Sequence, residues 1–260
     1  MAIITLTSDW GSTDYYAAAV KGVILSLMPN VTIVDITHNI NPFNVAQAGF
    51  TLHNCYRNFP EGTIHIIAVE TEESKDRPHV VVKANGHYFI STDNGIFSHV
   101  LDGSFEEAVI LDTPQDTDYY TFSTRDRFAK AAVRIAKGEP LSALGPRREF
   151  LNDGGAFRPV VKGNVIEGIV MHIDSYDNLI TNITETLFDE VGKDRDFIIK
   201  VKGDLYTIDE LSVSYDDVDQ LDPVAFFGSH GYLEIALNHA RMASLWGIEL
   251  RSPIQVVFEE

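Results

Sequence analysis

Glu70, Glu72 and Glu73 crowd into the stretch "VETEESKDR", and Arg77 follows Glu70 across a short polar loop. A carboxylate and a guanidinium at that separation can meet and pair, and the cation then fixes the carboxylate beside a reacting centre. The same residues would also suit a solvated acidic loop. "TFSTRDRF" supplies two neighbouring hydroxyls, Ser123 and Thr124, with an Arg125–Asp126 dipeptide that equally fits a helix start. "IDSYDNLITNI" brings Asp174, Tyr176 and Asn178 close together, which suits either a ligand-orienting turn or a plain Asx turn.

Weaker candidates surround these. Asp9 and Asp14 either bind a ligand or cap the first helix, and Trp10 and Phe43 either bracket a flat ring or pack. Asp35 and His38 offer two ligand types at a spacing far short of a metal site. The nine histidines are scattered and form no HExxH, so no metal is expected.

The elements that must position these residues can be read from periodicity. "AIITLT" reads as a strand, "YYAAAVKGVILSLMP" as a helix stopped at Pro29, "VTIVDIT" as a strand, "NVAQAGFTLHNCYRNFP" as a helix and "GTIHIIAVE" as a third strand. That alternation predicts a largely parallel sheet flanked by helices. In such a sheet, ligands bind beyond the carboxyl ends of the strands, where "SDWG", "DITHNINPFN" and "ETEESKDR" lie. "HVVVKANGHYFISTDNG" then predicts a hairpin turning at Asn85-Gly86. "IFSHVLDG" and "RDRFAKAAVRIAKG" resume helical spacing, with Gly138 as a stop.

Beyond "LNDGGAFRP", whose composition suits a linker, the chain is rich in short apolar runs separated by Gly, Asp and Pro turns. We expect an α/β domain over residues 1–155 and a smaller all-β domain over 163–260. The latter should have five or six strands in a barrel or sandwich.

Composition limits the function. The chain has 260 residues, 45% hydrophobic and 10% aromatic, enough to bury a substantial core. Its 20 basic and 38 acidic side chains give a formal charge of −18, which repels nucleic-acid phosphates and anionic membranes. A cationic or neutral small molecule is the more natural partner. A single cysteine, Cys55, excludes an internal disulfide and fits a reducing cytoplasm. The opening "MAIITLTSDWG" has no signal-peptide pattern, and no apolar run approaches the roughly 18 residues of a membrane span.

Seven collinear stretches carry a further reading: "TLTSDWGSTDYYAAAVKGVI", "VDITHNINPFNVAQAGF", "FPEGTIHIIAVE", "STDNGIF", "TFSTRDRFAKAA", "HIDSYDNLITNI" and "SHGYLEIA". Together they resemble the S-adenosylmethionine hydroxide adenosyltransferases, relatives of the fluorinating and chlorinating 5′-deoxyadenosine synthases. The resemblance implies an α/β domain followed by a β-barrel domain. It also implies a homotrimer whose sites lie between subunits, and S-adenosylmethionine as substrate without a further cofactor.

By that resemblance Asp9 holds the ribose hydroxyls, Phe43 lies near the sugar and sulfonium, and Asn94 and Phe122 line the same pocket, to which we add Trp10 and Thr124 as expected substrate-binding residues. Asp174 and Ser229 hold the methionine end, Asn178 reads the adenine edge, and Tyr176 and Tyr215 sandwich the ring. Leu237 and His239 correspond to backbone contacting the exocyclic amine. Hydrolytic relatives hold the attacking water with an aspartate, an arginine and a histidine; the matching positions here are Glu70, Arg77 and Ser123. Serine cannot accept a proton as imidazole does near neutrality, and "TEES" replaces the family's proline and glycines.

Three functions follow from the resemblance. The first is hydrolysis of S-adenosylmethionine to adenosine and methionine. The second is binding of the nucleoside without turnover. The third is a 5′-displacement with another nucleophile, for which Thr124 matches a hydroxyl-bearing position in halide-using relatives.

Overall fold

The computed structural model describes residues 2–101, 103–114, 120–155 and 158–259. The chain divides into two compact units, Met1–Ala156 and Phe157–Glu260. Within the expected linker, Ala156 and Phe157 lie outside the described residues, as does Asp102 of "IFSHVLDG".

The first unit alternates as its periodicity predicts. Strand β1 (Ile3–Ser8) leads to helix α1 (Tyr16–Leu27), then β2 (Thr32–Thr37), α2 (Val45–His53) and β3 (Ile64–Ala68). The hairpin β4 (His79–Ala84) and β5 (His87–Thr92) follows, then α3 (Ile96–Val100), β6 (Glu107–Ile110) and α4 (Ala129–Ala136). The sheet order is β2-β1-β3-β5-β4-β6. Strands β2, β1, β3 and β5 pair in parallel, while β4 runs antiparallel to both β5 and β6. Asn85 and Gly86 both take positive φ (51° and 76°), as the tight turn expected there requires.

Side-chain alternation divides the core into two layers. Ile4, Leu6, Ile64 and Ile66 pack with Val20 and Ile24 of α1 and with the apolar face of α4. Ile67, Val80, Val82 and Phe89 point the other way, onto Leu52 of α2 and Phe97 of α3. Gly49 lets α2 and α3 approach: a Cβ there would stand 2.2 Å from that of His99.

The expected halt of α4 at Gly138 is present, with φ 88° there. Strand β6 was not anticipated, because its four residues, "EAVI", are too few to show a period. The segment before α4 makes a π turn over Thr124–Phe128, which helical spacing alone does not reveal.

The second unit is antiparallel throughout. It contains β7 (Val160–Lys162), β8 (Val165–Ile173), β9 (Leu179–Thr184), α5 (Glu185–Gly192), β10 (Phe197–Val201) and β11 (Tyr206–Ile208). It continues with β12 (Pro223–Phe227), β13 (Tyr232–Leu237), α6 (Met242–Trp246) and β14 (Pro253–Phe258). The order β11-β10-β14-β8-β9-β13-β12, with β7 on β8, curls into a nearly closed barrel. The Ser212 N–H just after β11 donates to the Ala225 carbonyl of β12 at 2.8 Å, drawing the two ends together. Ile166, Leu179, Ile199, Leu233 and Ile254 fill the interior.

The described strands number eight rather than five or six. "PVAFFGSHGYLEIAL" is two strands around a tight turn, and the polar alternation of "LITNIT" conceals β9.

One buried feature of the first unit makes stability depend on pH. His65 on β3 is fully buried, its Nδ1 2.8 Å from Thr5 Oγ1 and its Nε2 3.2 Å from His87 Nδ1. Burial, reinforced by the neighbouring His87, pushes the His65 imidazole down to about 3. Its folded-state pKa lies below the unfolded value of 6.5, so as pH falls from 6.5 towards 3 the unfolded chain takes up the proton first and stability declines. The expected slope is about 1.4 kcal/mol per pH unit across that window. Urea midpoints of the parent and His65→Gln at pH 7 and pH 4.5 should show a smaller acid loss in the variant. Equal losses would exclude His65 as the source.

Candidate functional site

Because β1, β3 and β5 are parallel neighbours, the residues just past their ends lie on one edge of the sheet: Asp9 after β1, Glu70 after β3 and Asn94 after β5. Asp9 does not cap α1, whose first turn follows Tyr15 with no side-chain cap. Its Oδ2 instead accepts the Phe43 N–H at 2.9 Å, which ties the loop after β1 to the loop after β2. Phe43 is 73% exposed and holds a left-handed backbone (φ 63°), an unusual state for a bulky side chain.

Trp10 packs instead of standing free. It stacks on His38 at 5.9 Å between centroids and meets the edge of Phe122 at 5.8 Å; Phe122 in turn meets Tyr16 at 5.4 Å. His38 is held by Ser8 Oγ at 2.7 Å, and Asp35 pairs with Lys21 at 2.5 Å. The His38 Nε2 lies 3.2 Å from Asp35 Oδ1 but is too poorly aligned to bond to it.

Glu70 and Arg77 meet as their spacing suggested, with Arg77 Nη1 donating to Glu70 Oε1 at 2.6 Å. Glu70 also takes a left-handed backbone (φ 50°), a strained conformation of the kind that collects at functional sites. Asn94 supports it from β5: Nδ2 donates to the carbonyls of Val69 and Glu70, each at 3.1 Å, while Oδ1 accepts the Ile96 N–H. The pair is part-exposed, so a small molecule can reach it.

Ser123 and Thr124 are buried at the start of the π turn, directly after Phe122. Among the described residues no hydrogen bond joins Ser123 to Glu70 or Arg77. Arg125 forks onto the carboxylate of Asp126 at 2.6 and 2.8 Å, so this dipeptide is an ion pair and not a helix cap.

Neither nearby histidine replaces the imidazole that the sequence lacks at position 123. His79 is wholly buried; its Nε2 donates to the Thr71 carbonyl at 2.9 Å and its Nδ1 accepts from Arg127 at 2.8 Å. Burial holds it neutral, below the usual histidine range. His99 lies between α2 and the Gly154 segment, packed against Gly49. Glu70 is the carboxylate of this loop that Arg77 holds.

In the second unit, Asp174 organises the turn between β8 and β9. Its Oδ1 accepts the N–H groups of Tyr176 (2.9 Å) and Asn178 (2.8 Å), and its Oδ2 accepts from Asn178 Nδ2 (3.1 Å). The Asx-turn reading therefore holds, and the turn also carries a polar network. Asn178 Nδ2 donates to Tyr215 Oη at 3.1 Å, Tyr215 donates to Glu234 Oε1 at 2.5 Å, and His230 Nε2 lies 3.1 Å from Glu234 Oε2. Burial alone would raise the Glu234 carboxyl, but bonds from His230 and Tyr215 outweigh it and hold the group below its ordinary range. Burial and that carboxylate together push the Tyr215 phenol up.

Tyr176 is 77% exposed beside this network. Ser229 is exposed in the turn from β12 to β13. Leu237 ends β13, its carbonyl accepting the Ala240 N–H at 3.1 Å, and His239 is exposed with φ 54°. Sequence reading missed Glu234 and His230. The available signal was a lone carboxylate inside the apolar run "YLEIAL".

Comparisons with known proteins agree with this two-part arrangement. The family model described as the SAM hydroxide adenosyltransferase N-terminal domain matches residues 4–145, and that of the C-terminal domain matches 168–255. The chain is 29% identical to a fluorinase of Actinoplanes sp., covering 93% of this chain and 92% of the relative. It is 27% identical to the (R)-S-adenosyl-L-methionine hydrolase of Methanocaldococcus jannaschii, with 98% and 96% covered. The enzyme of that name from Thermus thermophilus is 28% identical, with 99% and 100% covered. Among solved structures, an uncharacterized conserved protein from Thermotoga maritima superposes with a TM-score of 0.88 at 27% identity, over 99% of this chain and 100% of that one.

Asp174 supplies three acceptor contacts in one turn, so Asp174→Ala should cost roughly 1–3 kcal/mol. Asp174→Asn keeps an oxygen for the two backbone N–H groups and should cost less. Thermal melts of both variants test this ordering, and an Asn variant as unstable as the Ala variant would contradict it.

Proposed function

The chain belongs to the S-adenosylmethionine hydroxide adenosyltransferase family, and from that premise we propose that it hydrolyses S-adenosylmethionine to adenosine and methionine. The observation that carries this reading is the Glu70–Arg77 pair, 2.6 Å apart at the end of β3 and braced by Asn94. The relatives named as hydrolases and as a fluorinase support substitution at the 5′ carbon of the sulfonium substrate. The nucleophile is inferred from this chain's own residues.

In the proposed step a water oxygen bonds to the 5′ carbon while the C–S bond breaks and its electron pair stays on sulfur. The sulfonium cation and water thus become adenosine, methionine and one released proton. Neutral sulfide is a good leaving group, so the step needs no acid on the departing side. It needs an oriented water and an in-line approach. Glu70 accepts a hydrogen bond from that water, and Arg77 fixes the carboxylate so that its free oxygen faces the attacking water. Asp9 holds the ribose, and Phe43 offers an aromatic surface to the sugar and sulfonium. Asn178, Tyr176 and Tyr215 take the adenine, and assembly as a trimer belongs to the same proposal.

Water is favoured over halide on electrostatic grounds. A halide would have to approach a carboxylate, and the Arg77 charge nearest it is already paired with Glu70. The net charge of −18 opposes an anion further, while it attracts a sulfonium cation.

Purified protein incubated with S-adenosylmethionine should form adenosine above the spontaneous background, and chloride should leave the product unchanged. Arg77→Ala, which frees the carboxylate to shift by about 1 Å, and Glu70→Gln, which removes the charged acceptor, should each lower kcat by roughly 100-fold. Chromatography of the nucleosides reads all three outcomes. Saturable adenosine binding without turnover would replace the hydrolase reading with a binding protein, and a halogenated nucleoside would replace it with another nucleophile.

A further inference from the structure

The loop from Thr71 to Asp76 is unusual for one that carries a reacting group: Glu72, Glu73 and Lys75 have long, rotamer-rich side chains and there is no glycine or proline. A loop of that composition loses much conformational entropy on ordering. Glu70 nevertheless has to hold a strained backbone and a fixed carboxylate. Whatever orders the loop therefore controls the placement of Glu70.

Ser74 and Arg77 bond each other within the loop, the Arg77 N–H donating to Ser74 Oγ at 3.1 Å and the Ser74 N–H to the Arg77 carbonyl at 3.0 Å, and the contacts from the π turn come from one residue, Arg127. Its Nη1 bonds Glu73 Oε2 at 2.5 Å and also donates to His79 Nδ1 at 2.8 Å. Nη2 donates to the Leu111 carbonyl at 2.5 Å and Nε to the Thr113 carbonyl at 3.1 Å. One planar guanidinium thus ties the β6 exit to the loop, using the several donors that a lysine lacks. Through His79 the tie reaches Thr71, whose carbonyl accepts from Nε2 at 2.9 Å. The other Glu73 oxygen lies 3.4 Å from the His79 N–H, so both ends of the clamp close on β4. The loop's far side is held separately, by Asn152 Nδ2 donating to the Asp76 carbonyl at 2.8 Å and to that of Asp93 at 2.6 Å.

We infer that Arg127 is a positioning residue for the reaction, clamping Glu73 and, through His79, Thr71 so that Glu70 stays in its left-handed, Arg77-paired conformation. This inference rests on the hydrolase reading for its kinetic consequence but not for its structural one. The clamp touches neither substrate nor reacting atoms. It fixes Thr71 and Glu73, one and three positions beyond Glu70. The His79 imidazole has a structural role, because both its nitrogens are consumed in transmitting the clamp. The π turn is part of the device: its extra residue per turn alters which side chains face the sheet, and such turns recur at functional sites.

The test combines amide hydrogen exchange with steady-state kinetics on the full chain, using Glu73→Gln, Arg127→Gln, the double variant and Arg127→Lys. Exchange in the peptide covering 70–79 should quicken at least about tenfold in both single Gln variants while β1 and β5 stay protected. With S-adenosylmethionine, kcat should fall roughly 10- to 100-fold with KM within about twofold. The double variant should lose no more than the worse single variant, as coupled partners require. Lysine at 127 should recover part of kcat by restoring the charge opposite Glu73.

Unchanged exchange over 70–79 in both single variants would overturn the clamp. So would a loss of kcat that is additive in the double variant. If Arg127→Gln fails to fold, Glu73→Gln decides, because Glu73 is part-exposed and its replacement leaves the core intact. If the parent protein forms no adenosine, the hydrolase reading fails, while the exchange measurement still judges the clamp.

Discussion

Parallel pairing of β1, β3 and β5 places three strand exits on one edge of the sheet, and the chemistry available to the first unit depends on that constraint. Register matters because the side-chain period of a strand is two. With Ile64 and Ile66 committed to the α1/α4 layer, and Ile67 and Val69 to the α2/α3 layer, β3 cannot slip by one residue without reversing both cores. Glu70 is thereby fixed at the position where the strand can no longer pair and the backbone turns away. Asn94, one strand over, completes the turn by accepting an amide from its own helix and donating to the Glu70 carbonyl.

Charge on this edge is paired locally. Glu70 meets Arg77, Glu73 meets Arg127, and buried Asp93 is forked by Arg148 at 2.6 and 2.9 Å. A buried carboxylate without such a partner would be costly, and removing one member of a buried pair strands the other. The part-exposed Glu70–Arg77 pair differs in kind, because solvent screening keeps its own stabilisation small. What the pair fixes is the orientation of the Glu70 carboxylate.

How far the sequence could be read depended on the reach of each interaction. Alternation of strands and helices, the Asn85-Gly86 turn and the Gly138 stop depend on neighbours within a few positions, and each is visible in the chain. The Glu70–Arg77 contact is also local, separated by a single loop. The clamp is not: Arg127 meets Glu73 from 54 residues away, and nothing in "TFSTRDRF" or "ETEES" alone names the other as partner. Glu234 was hidden differently. It sits in a strand whose apolar neighbours suggest a plain barrel wall, and only the arrival of Tyr215 and His230 in space explains a buried carboxylate there.

The two units solve one problem in the same manner. A polar side chain that is to present one atom in one direction must give up its torsional freedom. In the first unit Arg77 binds one oxygen of Glu70 and so fixes the plane of the carboxylate. In the second, Asp174 and Tyr215 take hydrogens from the Asn178 amide nitrogen, which fixes the amide plane and determines how its oxygen lies. Tyr215 is itself bonded to Glu234 and Glu234 lies against His230, so rotating the buried Asn178 amide would break bonds in series. In both units the direction of a polar group is thus set by the hydrogen bonds made to it, which is why a loop of charged side chains can still hold Glu70 in one orientation.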